Sequence, residues 1–269
     1  MADGISSTLA AKRRRLGLVT ITLAATASAA VLTGCTSSDD KGASPSKPSA
    51  LPDASRIVAE SARTTQTLHD VHLNLAVADI PNLPVEKVNA DVTNKVKGQG
   101  QAAGEARVRT SKQADFTDTK FVVSNKTLYA GDGSAYQPVG PAEKVYDPGV
   151  ILDKDKGIAN VIAQIKNPKS EARETVDGVD TVKISGTVDA SVIDFIVPQS
   201  GKKGGPLPIT VWIKDVPPPS GSGKASPPDK GSPDKAPNLV KAVVKQGDGT
   251  ITVMLSKWGT PVSIPNPAA

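Results

Sequence analysis

The chain is poor in cysteine, which limits how its folded part can be stabilised. One of its 269 residues is a cysteine, at position 35. A single thiol cannot form an intramolecular disulfide, so the small disulfide-rich folds are excluded. A folded domain must therefore be held together by a hydrophobic core, and the chain is long enough for one sizeable core.

Aromatic residues are also scarce, and the excess positive charge lies at the N-terminus. Phe, Trp and Tyr together make up 3% of the chain, whose formal net charge is +5. Residues 1–34 hold four basic residues and one acidic residue, which leaves the rest with a charge of only +2. No basic run alternates with aromatic residues, as is typical of nucleic-acid binding. We therefore expect no nucleic-acid partner.

Sequence motifs of enzymes are missing as well. The chain has no G-x-S-x-G motif, and "GKKGGP" at 201–206 lacks the Ser or Thr and the spacing of a phosphate-binding loop. The two histidines, His69 and His72, form an H-x-x-H pattern, but a zinc site needs further ligands and the nearby sequence has no recognisable set. We expect no catalytic residue, no metal site and no cofactor.

What the chain does have is a targeting segment at its N-terminus. A basic run at 12–15 precedes an apolar stretch at 16–31, which is short for a permanent membrane span and typical of a signal peptide. "LTGC" at 32–35 follows and resembles the bacterial lipobox. We expect residues 1–34 to be removed and Cys35 to carry acyl chains such as palmitate that hold the protein on the membrane. The alternatives are an unmodified thiol and an uncleaved N-terminal helix.

Two segments are rich in Pro, Ser, Gly and Lys. Residues 35–52 contain almost nothing to bury and are expected to form a flexible tether. The loop at 216–237, inside "DVPPPSGSGKASPPDKGSPDKAPN", is expected to be a long solvated connection between two strands. An arm that binds the cell wall or a partner is the alternative. The folded domain is then expected to span residues 53–269.

Most of that domain shows the period-two alternation of half-buried strands. The segments are "VHLNLAV", "KVNADVTNKV", "GEARVRT", "TKFVVSNKTLYAG", "DTVKISGTV", "ITVWIK" and "TITVMLSKW". Turns are predicted at Asn125-Lys126, Asp132-Gly133, Asp177-Gly178 and Asp248-Gly249. Trp212 and Trp258 are placed on strands, packing in the core or at its rim. Pairing between neighbours in sequence predicts an antiparallel meander with one apolar face.

Helices are few and short. "DASRIVAESARTTQTLHDV" has Asp53 as a possible cap, "DPGVILDKDKGIANVIAQIKN" holds two apolar pieces, and "DASVIDFIVPQ" ends at Pro198. A large sheet with helices on one face is the α+β architecture. Because bulky aromatic residues are rare, the space between the layers is either a cavity completed by an apolar molecule or a closed core.

A resemblance to a known family rests on four segments: "GPAEKVYDPGVILDKDKGIANVIAQI", "VDGVDTVKISGTVDA", "LPITVWI" and "LSKWGTPVSIPNP". They resemble the mycobacterial LppX/LprA/LprF/LprG lipoproteins, and LprF most, over nearly the whole domain. The resemblance implies an antiparallel sheet curved into a half-barrel, helices over its concave face and a hydrophobic cavity for acylated lipids or glycolipids of the cell envelope. The loop at 216–237 is longer than this family leads one to expect.

The resemblance therefore predicts a membrane-anchored lipid carrier on the extracytoplasmic face of the cell membrane or in the cell wall. Its ligand is an acylated lipid or glycolipid, and an envelope transporter or sensor is a further expected partner. The alternative is a lipid-anchored adaptor that presents a surface to a sensor or an export complex. The expected lipid-binding residues face the space between the layers: Leu73, Leu75, Val77, Ala106, Val108, Phe121, Val123, Ile158, Val161, Ile162, Ile165, Val192, Ile193 and Ile196.

Overall fold

The fold is α+β, with an open antiparallel sheet of 11 strands and short helices on one face of it. The computed structural model describes residues 50–81, 83–96, 100–145, 147–197, 204–217 and 235–267. The predicted signal peptide, Cys35 and most of the predicted tether lie outside these residues, as does the middle of the loop at 216–237. Among the described residues, those of the hydrophobic core fall between Ala54 and Trp258.

Two meanders make up the sheet. In each, strands that follow one another in sequence pair antiparallel, as the alternating apolar pattern predicts. The first meander contains β1 (Asp70–Ala78), β2 (Val85–Thr93), β3 (Gln101–Val108), β4 (Thr117–Ser124), β5 (Thr127–Gly131) and β6 (Tyr136–Pro141). The second contains β7 (Lys166–Val176), β8 (Val179–Asp189), β9 (Pro206–Lys214), β10 (Leu239–Gln246) and β11 (Gly249–Ser256).

The meanders join where β1 pairs with β11, which is the long-range contact that makes them one sheet. Leu73 lies opposite Leu255, and Leu75 opposite Val253. These side chains are buried in the main core. The sheet order is therefore β6-β5-β4-β3-β2-β1-β11-β10-β9-β8-β7, with β6 and β7 at the two edges.

Both edge strands carry features that discourage pairing with another sheet. Pro138 and Pro141 lie on β6, and β7 contains Pro168 with register shifts near its start. The chain just before the first helix also lies against β7. The Ser170 hydroxyl donates to the Pro52 carbonyl oxygen at 2.7 Å, and the Arg173 guanidinium donates to the Ala50 carbonyl oxygen at 3.3 Å.

The helices are α1 (Ala54–Thr65), α2 (Ala142–Val145), a 3₁₀ helix (Pro148–Leu152), α3 (Ile158–Ala163) and α4 (Ala190–Ile193). Asp53 caps α1 as predicted, because its carboxylate accepts a hydrogen bond from the Arg56 backbone N–H at 2.7 Å. The 3₁₀ helix lies close to the end of the loop that connects β2 to β3. A side chain on Gly149 would meet the Gly100 Cα at 2.8 Å, so this approach requires glycine at both positions.

The covering layer is largely the connection between the two meanders. The chain leaves β6 at one edge, passes through α2, the 3₁₀ helix and α3, and enters β7 at the other edge. Along this path the 3₁₀ helix contacts β2 and β3, while α3 contacts α1 and α4. The core lies between this layer and the inner face of the sheet.

Three sequence predictions need correction or completion. The turn between β10 and β11 is at Gly247-Asp248, not Asp248-Gly249, because Gln246 pairs with Gly249 and Gly247 supplies the positive φ of 60°. Trp258 lies in the turn after β11, where its Nε1 donates to the Leu239 carbonyl oxygen at 3.0 Å. The edge strands β6 and β7 were not predicted.

Candidate functional site

An apolar space, here called the layer gap, lies between the helices and strands β9 to β11 of the sheet. Successive side chains along a strand point to opposite faces of the sheet, so only every second strand residue reaches the layer gap. All the described side chains that line it are aliphatic. The helices contribute Ile158, Val161, Ile193 and Ile196, and strands β9 to β11 contribute Ile209, Ala242, Val244, Ile251 and Val253.

The layer gap is narrow. Its volume is about 10 Å³, which is at most the room that one water molecule needs. The lining offers no polar partner for a water, so an apolar occupant suits it better. The helices therefore pack directly on the strands, and the space where a cavity was expected is aliphatic but almost filled.

A second, wider space is the α1–α3 groove, of about 400 Å³. Its floor is apolar, with Val58 and Ala62 of α1 facing Ala163, Ile165 and Pro168. Its rim is polar and carries Ser55, Arg63 and Gln66, together with Ala59. Arg63 forms no hydrogen bond or ion pair with any other described residue, so its charge is available at the rim.

Helix α3 separates the two spaces. Ile158 and Val161 line the layer gap, whereas Ala163 at the end of the same helix lines the α1–α3 groove. With six residues, α3 is short, and no side chain caps its N-terminus at Gly157. A short helix without a side-chain cap depends on packing for its stability.

The structure places all the predicted lipid-binding residues in the main core or against it. Eleven of them belong to the buried core cluster, while Ala106, Val108 and Val192 are half-buried and pack against that cluster. Only Ile158, Val161, Ile193 and Ile196 line the layer gap, and Ile165 lines the α1–α3 groove. The remaining residues lie on β1, β3 and β4, with Ile162 on α3 and Val192 on α4, and belong to the same apolar interior without lining the gap.

Sequence reasoning missed most of the strand side of the layer gap. The alternation in "ITVWIK" and "TITVMLSKW" identifies Ile209, Ile251 and Val253 as inward-facing, but it does not tell which strands lie beneath which helix. Ala242 and Val244 of β10 were missed for the same reason. The pairing of β1 with β11 determines which strands lie beneath the helices, and this pairing joins the two ends of the domain.

The two histidines have separate partners. His69 Nδ1 lies 2.7 Å from Asn94 Oδ1, and His72 Nδ1 lies 2.7 Å from Asp91 Oδ1. In the part of the chain that the structure describes, no three His, Cys, Asp or Glu side chains form a group that could hold a metal ion. In that same part, no helix has both the length and the apolar character to cross a membrane.

The outer face of the sheet carries Trp212 between two lysines on the flanking strands. Lys183 and Lys241 lie 5.5 and 4.8 Å from its ring centroid. Its Nε1 donates to Glu174 at 2.8 Å, and this hydrogen bond, with the Lys183 ion pair, lowers the pKa of Glu174. The ring is half-buried and held by these contacts. Trp212 lies on a strand as predicted, but it packs on the face opposite the core.

The fold and its aliphatic interior are those of a lipoprotein family, to which comparison with known proteins assigns the chain. The family model described as LppX_LprAFG lipoprotein matches residues 53–264. The chain belongs to this family, as the sequence resemblance indicated.

Its relatives include proteins named as carriers. LprF of Mycobacterium tuberculosis, by its name a proposed diacylated glycolipid transporter, is 47% identical over 253 residues, which is 94% of this chain and 92% of LprF. LprG of Mycolicibacterium hassiacum, named a lipoarabinomannan carrier protein, is 35% identical over 246 residues, covering 89% of this chain and 93% of LprG.

Solved structures agree with the fold. The crystal structure of LprF from Mycobacterium bovis superposes with a TM-score of 0.71 at 47% identity, covering 80% of this chain and 96% of that one. LppX of M. tuberculosis gives a TM-score of 0.54 at 20% identity, covering 79% and 98%. At that identity, LppX supports the fold alone.

Proposed function

We propose that this protein is a lipid-anchored carrier that holds the acyl chains of cell-envelope glycolipids between its helices and its sheet. The observation that carries the proposal is the layer gap, which is lined, among the residues that the structure describes, by nine aliphatic side chains. The names of the relatives LprF and LprG support the ligand class. A carrier needs no catalytic group, and we assign none.

Acyl chains can enter the layer gap only if the covering helices move away from the strands, because the gap measures about 10 Å³. Removing a methylene from water contributes about 0.8 kcal/mol, so a chain of about 15 methylenes gains on the order of 10 kcal/mol. That gain offsets the loss of helix packing. It also prevents simple release into water, so the lipid must pass directly to a membrane or to a partner protein.

Anchoring supplies the required proximity. In the proposed mature protein, Cys35 is acylated after removal of residues 1–34 and holds the domain on the extracytoplasmic face of the cell membrane. Two or more acyl chains give an essentially permanent attachment, whereas one chain binds reversibly. An envelope transporter or sensor is a proposed partner at that surface.

The test is lipid extraction from the chain produced from residue 36 onward, with a variant that fills the layer gap. Ala242→Trp places a large ring among the gap-lining residues, where it competes with acyl chains and destabilises the protein by about 1–3 kcal/mol. We expect lipid per protein, measured by mass spectrometry, and transfer of a fluorescent diacyl glycolipid between vesicles to fall several-fold.

The matched control is Ala76→Trp. Ala76 lies on β1, the second strand along from β10, and its neighbours in the sequence, Leu75 and Val77, are buried on the inner face while Ala76 is on the outer one. This variant should carry and transfer lipid like the parent chain. A parent chain that yields no extractable lipid and transfers none above the protein-free rate would refute the carrier proposal.

A further inference from the structure

The buried face of α1 contains two hydroxyl groups. Ser61 is 0% exposed and Thr65 is 3% exposed. They are four residues apart, so they lie one above the other on the helix. Val58 and Ala62, which form the floor of the α1–α3 groove, belong to the same buried stripe. The two hydroxyls therefore lie beside the groove floor and face the interior.

Neither hydroxyl has a hydrogen-bond partner among the residues that the structure describes. Other hydroxyls of the same region do have one. Thr64 Oγ1 donates to the Glu60 carbonyl oxygen at 3.0 Å, and Thr67 Oγ1 donates to the Thr64 carbonyl oxygen at 2.7 Å. A buried hydroxyl without a partner lowers stability, and native proteins rarely keep one without a reason.

Both hydroxyls lie on the buried face of α1, the helix that forms one wall of the α1–α3 groove. Helix α1 packs against α3, β7 and β9. The layer gap lies on one side of α3, and the α1–α3 groove with Arg63 at its rim lies on the other. Ser61 and Thr65 line neither space, so a lipid that extends from the groove into the gap meets them only if it parts the buried face of α1 from its neighbours.

We propose, on the basis of the carrier function above, that Ser61 and Thr65 donate hydrogen bonds to the ester carbonyl oxygens of a bound diacyl lipid. The glycerol esters then lie under α1, the acyl chains extend into the layer gap, and the headgroup occupies the α1–α3 groove near Arg63. Ester carbonyls are the acceptors that a diacyl lipid carries between its tails and its headgroup. A dialkyl ether lipid of equal length lacks these carbonyls, so the hydroxyls select for acyl esters.

The experiment compares two probes and two variants in the chain from residue 36 onward. The probes are dipalmitoyl phosphatidylglycerol and its dihexadecyl ether counterpart, supplied from vesicles. We expect the parent to bind the ester lipid roughly tenfold more tightly than the ether lipid, because two neutral hydrogen bonds contribute a free energy of about that size. Ser61→Ala combined with Thr65→Val should bind both lipids equally, at the affinity of the parent for the ether. Thr64→Val, which removes a hydroxyl that already has a partner, should keep the ester preference.

Stability without lipid gives an independent readout. Removing two buried hydroxyls that lack partners should raise the thermal midpoint of the double variant by roughly 2–4 °C or more. Ser61→Ala alone should show a smaller rise and a partial loss of ester preference. Equal binding of both probes by the parent, or a lower midpoint in the double variant, would overturn the assignment while leaving the carrier function intact. A parent that binds neither probe would also overturn the assignment, and the glycolipid transfer assay above then tests the carrier function separately.

Discussion

At the scale of single residues, Asp147 shows how burial changes a carboxyl group. It caps the 3₁₀ helix, where its Oδ1 accepts a hydrogen bond from the Gly149 backbone N–H at 2.8 Å. Burial nevertheless raises its pKa above the ordinary 3.8, because the charged form loses hydration. The folded protein therefore binds this proton more tightly than the unfolded chain, so the group favours the folded state at low pH and opposes it above the raised pKa.

Asp147→Asn should keep the cap and remove the buried charge. We expect the variant to be at least as stable as the parent at pH 7, with its advantage shrinking as the pH falls through the raised pKa toward 3.8. Urea unfolding at several pH values measures this difference in the free energy of unfolding.

Asp132→Asn is the matched control because its pKa changes in the opposite direction. Hydrogen bonds from Ser134 lower the pKa of Asp132 to about 2. That variant should be less stable than the parent at pH 7, and the difference should disappear as the pH falls from 3.8 to 2. The same pH dependence in both variants would contradict the assigned role of burial at Asp147.

At the scale of elements, the connection between β9 and β10 is long in sequence and short in space. The Lys214 backbone N–H donates to the Asn238 carbonyl oxygen at 2.9 Å, so the two ends of the connection meet. Next to this connection, Leu239 of β10 pairs with Ile213 of β9, and Lys241 pairs with Trp212. Strands β9 and β10 are thus paired up to the point where the connection begins and ends.

Replacing residues 217–236 with a short Gly-containing turn should therefore leave the fold intact. Each doubling of loop length costs only about 0.6 kcal/mol in closure entropy, so the shortened protein should gain roughly 1 kcal/mol in unfolding free energy. Denaturant unfolding measures it, and lipid transfer should be unchanged. A loss of several kcal/mol would mean that the connection packs against the domain.

The elements that could be predicted are those with a local signal. Strand β9 alternates between buried and half-exposed residues along "ITVWIK", and α1 has an Asp53 cap before its apolar stripe. Edge strand β7 offers no such signal, because its sequence "KNPKSEARETV" has almost no apolar residue and none of its residues is buried. An edge strand needs only one partner, and β8 provides it.

The candidate site was predictable on its helical side only. Ile158, Val161 and Ile193 stand out as apolar residues on short helices in a polar neighbourhood. Their strand partners depend on which strands come to lie beneath α3 and α4, and that depends on the contact of β1 with β11. Ser61 and Thr65 could not be found at all, because a hydroxyl without a partner is recognised only in the folded chain.

At the scale of the whole molecule, loading requires the helix layer to separate from the sheet while the sheet stays intact. No cysteine follows Cys35 in the chain, so a single introduced thiol reports on this opening. Val161→Cys places it on α3 in the layer gap at a site 1% exposed. We expect its reaction with a thiol reagent to slow several-fold when diacyl lipid vesicles are added.

Val122→Cys is the control. Val122 is 0% exposed and lies on β4, outside the main core cluster. Its thiol becomes accessible only when the sheet opens. It should therefore react more slowly than the thiol at position 161, at a rate that does not change when lipid vesicles are added. Equal rates at the two sites, unaffected by vesicles, would mean that the helix layer does not open separately.

The contact of Ala50 and Pro52 with edge strand β7 fixes where the tether joins the domain. The length of the tether then limits how far the domain can move from the membrane. From Cys35 to Ala50 there are 15 peptide units, which span at most about 50 Å even when fully extended. With Cys35 acylated, as proposed, the domain cannot travel farther than this from the membrane that holds it. A carrier on so short a tether does not cross the envelope with its lipid. It passes the lipid to an acceptor that reaches the domain while Ala50 stays within about 50 Å of the membrane, so a second carrier must complete any longer route.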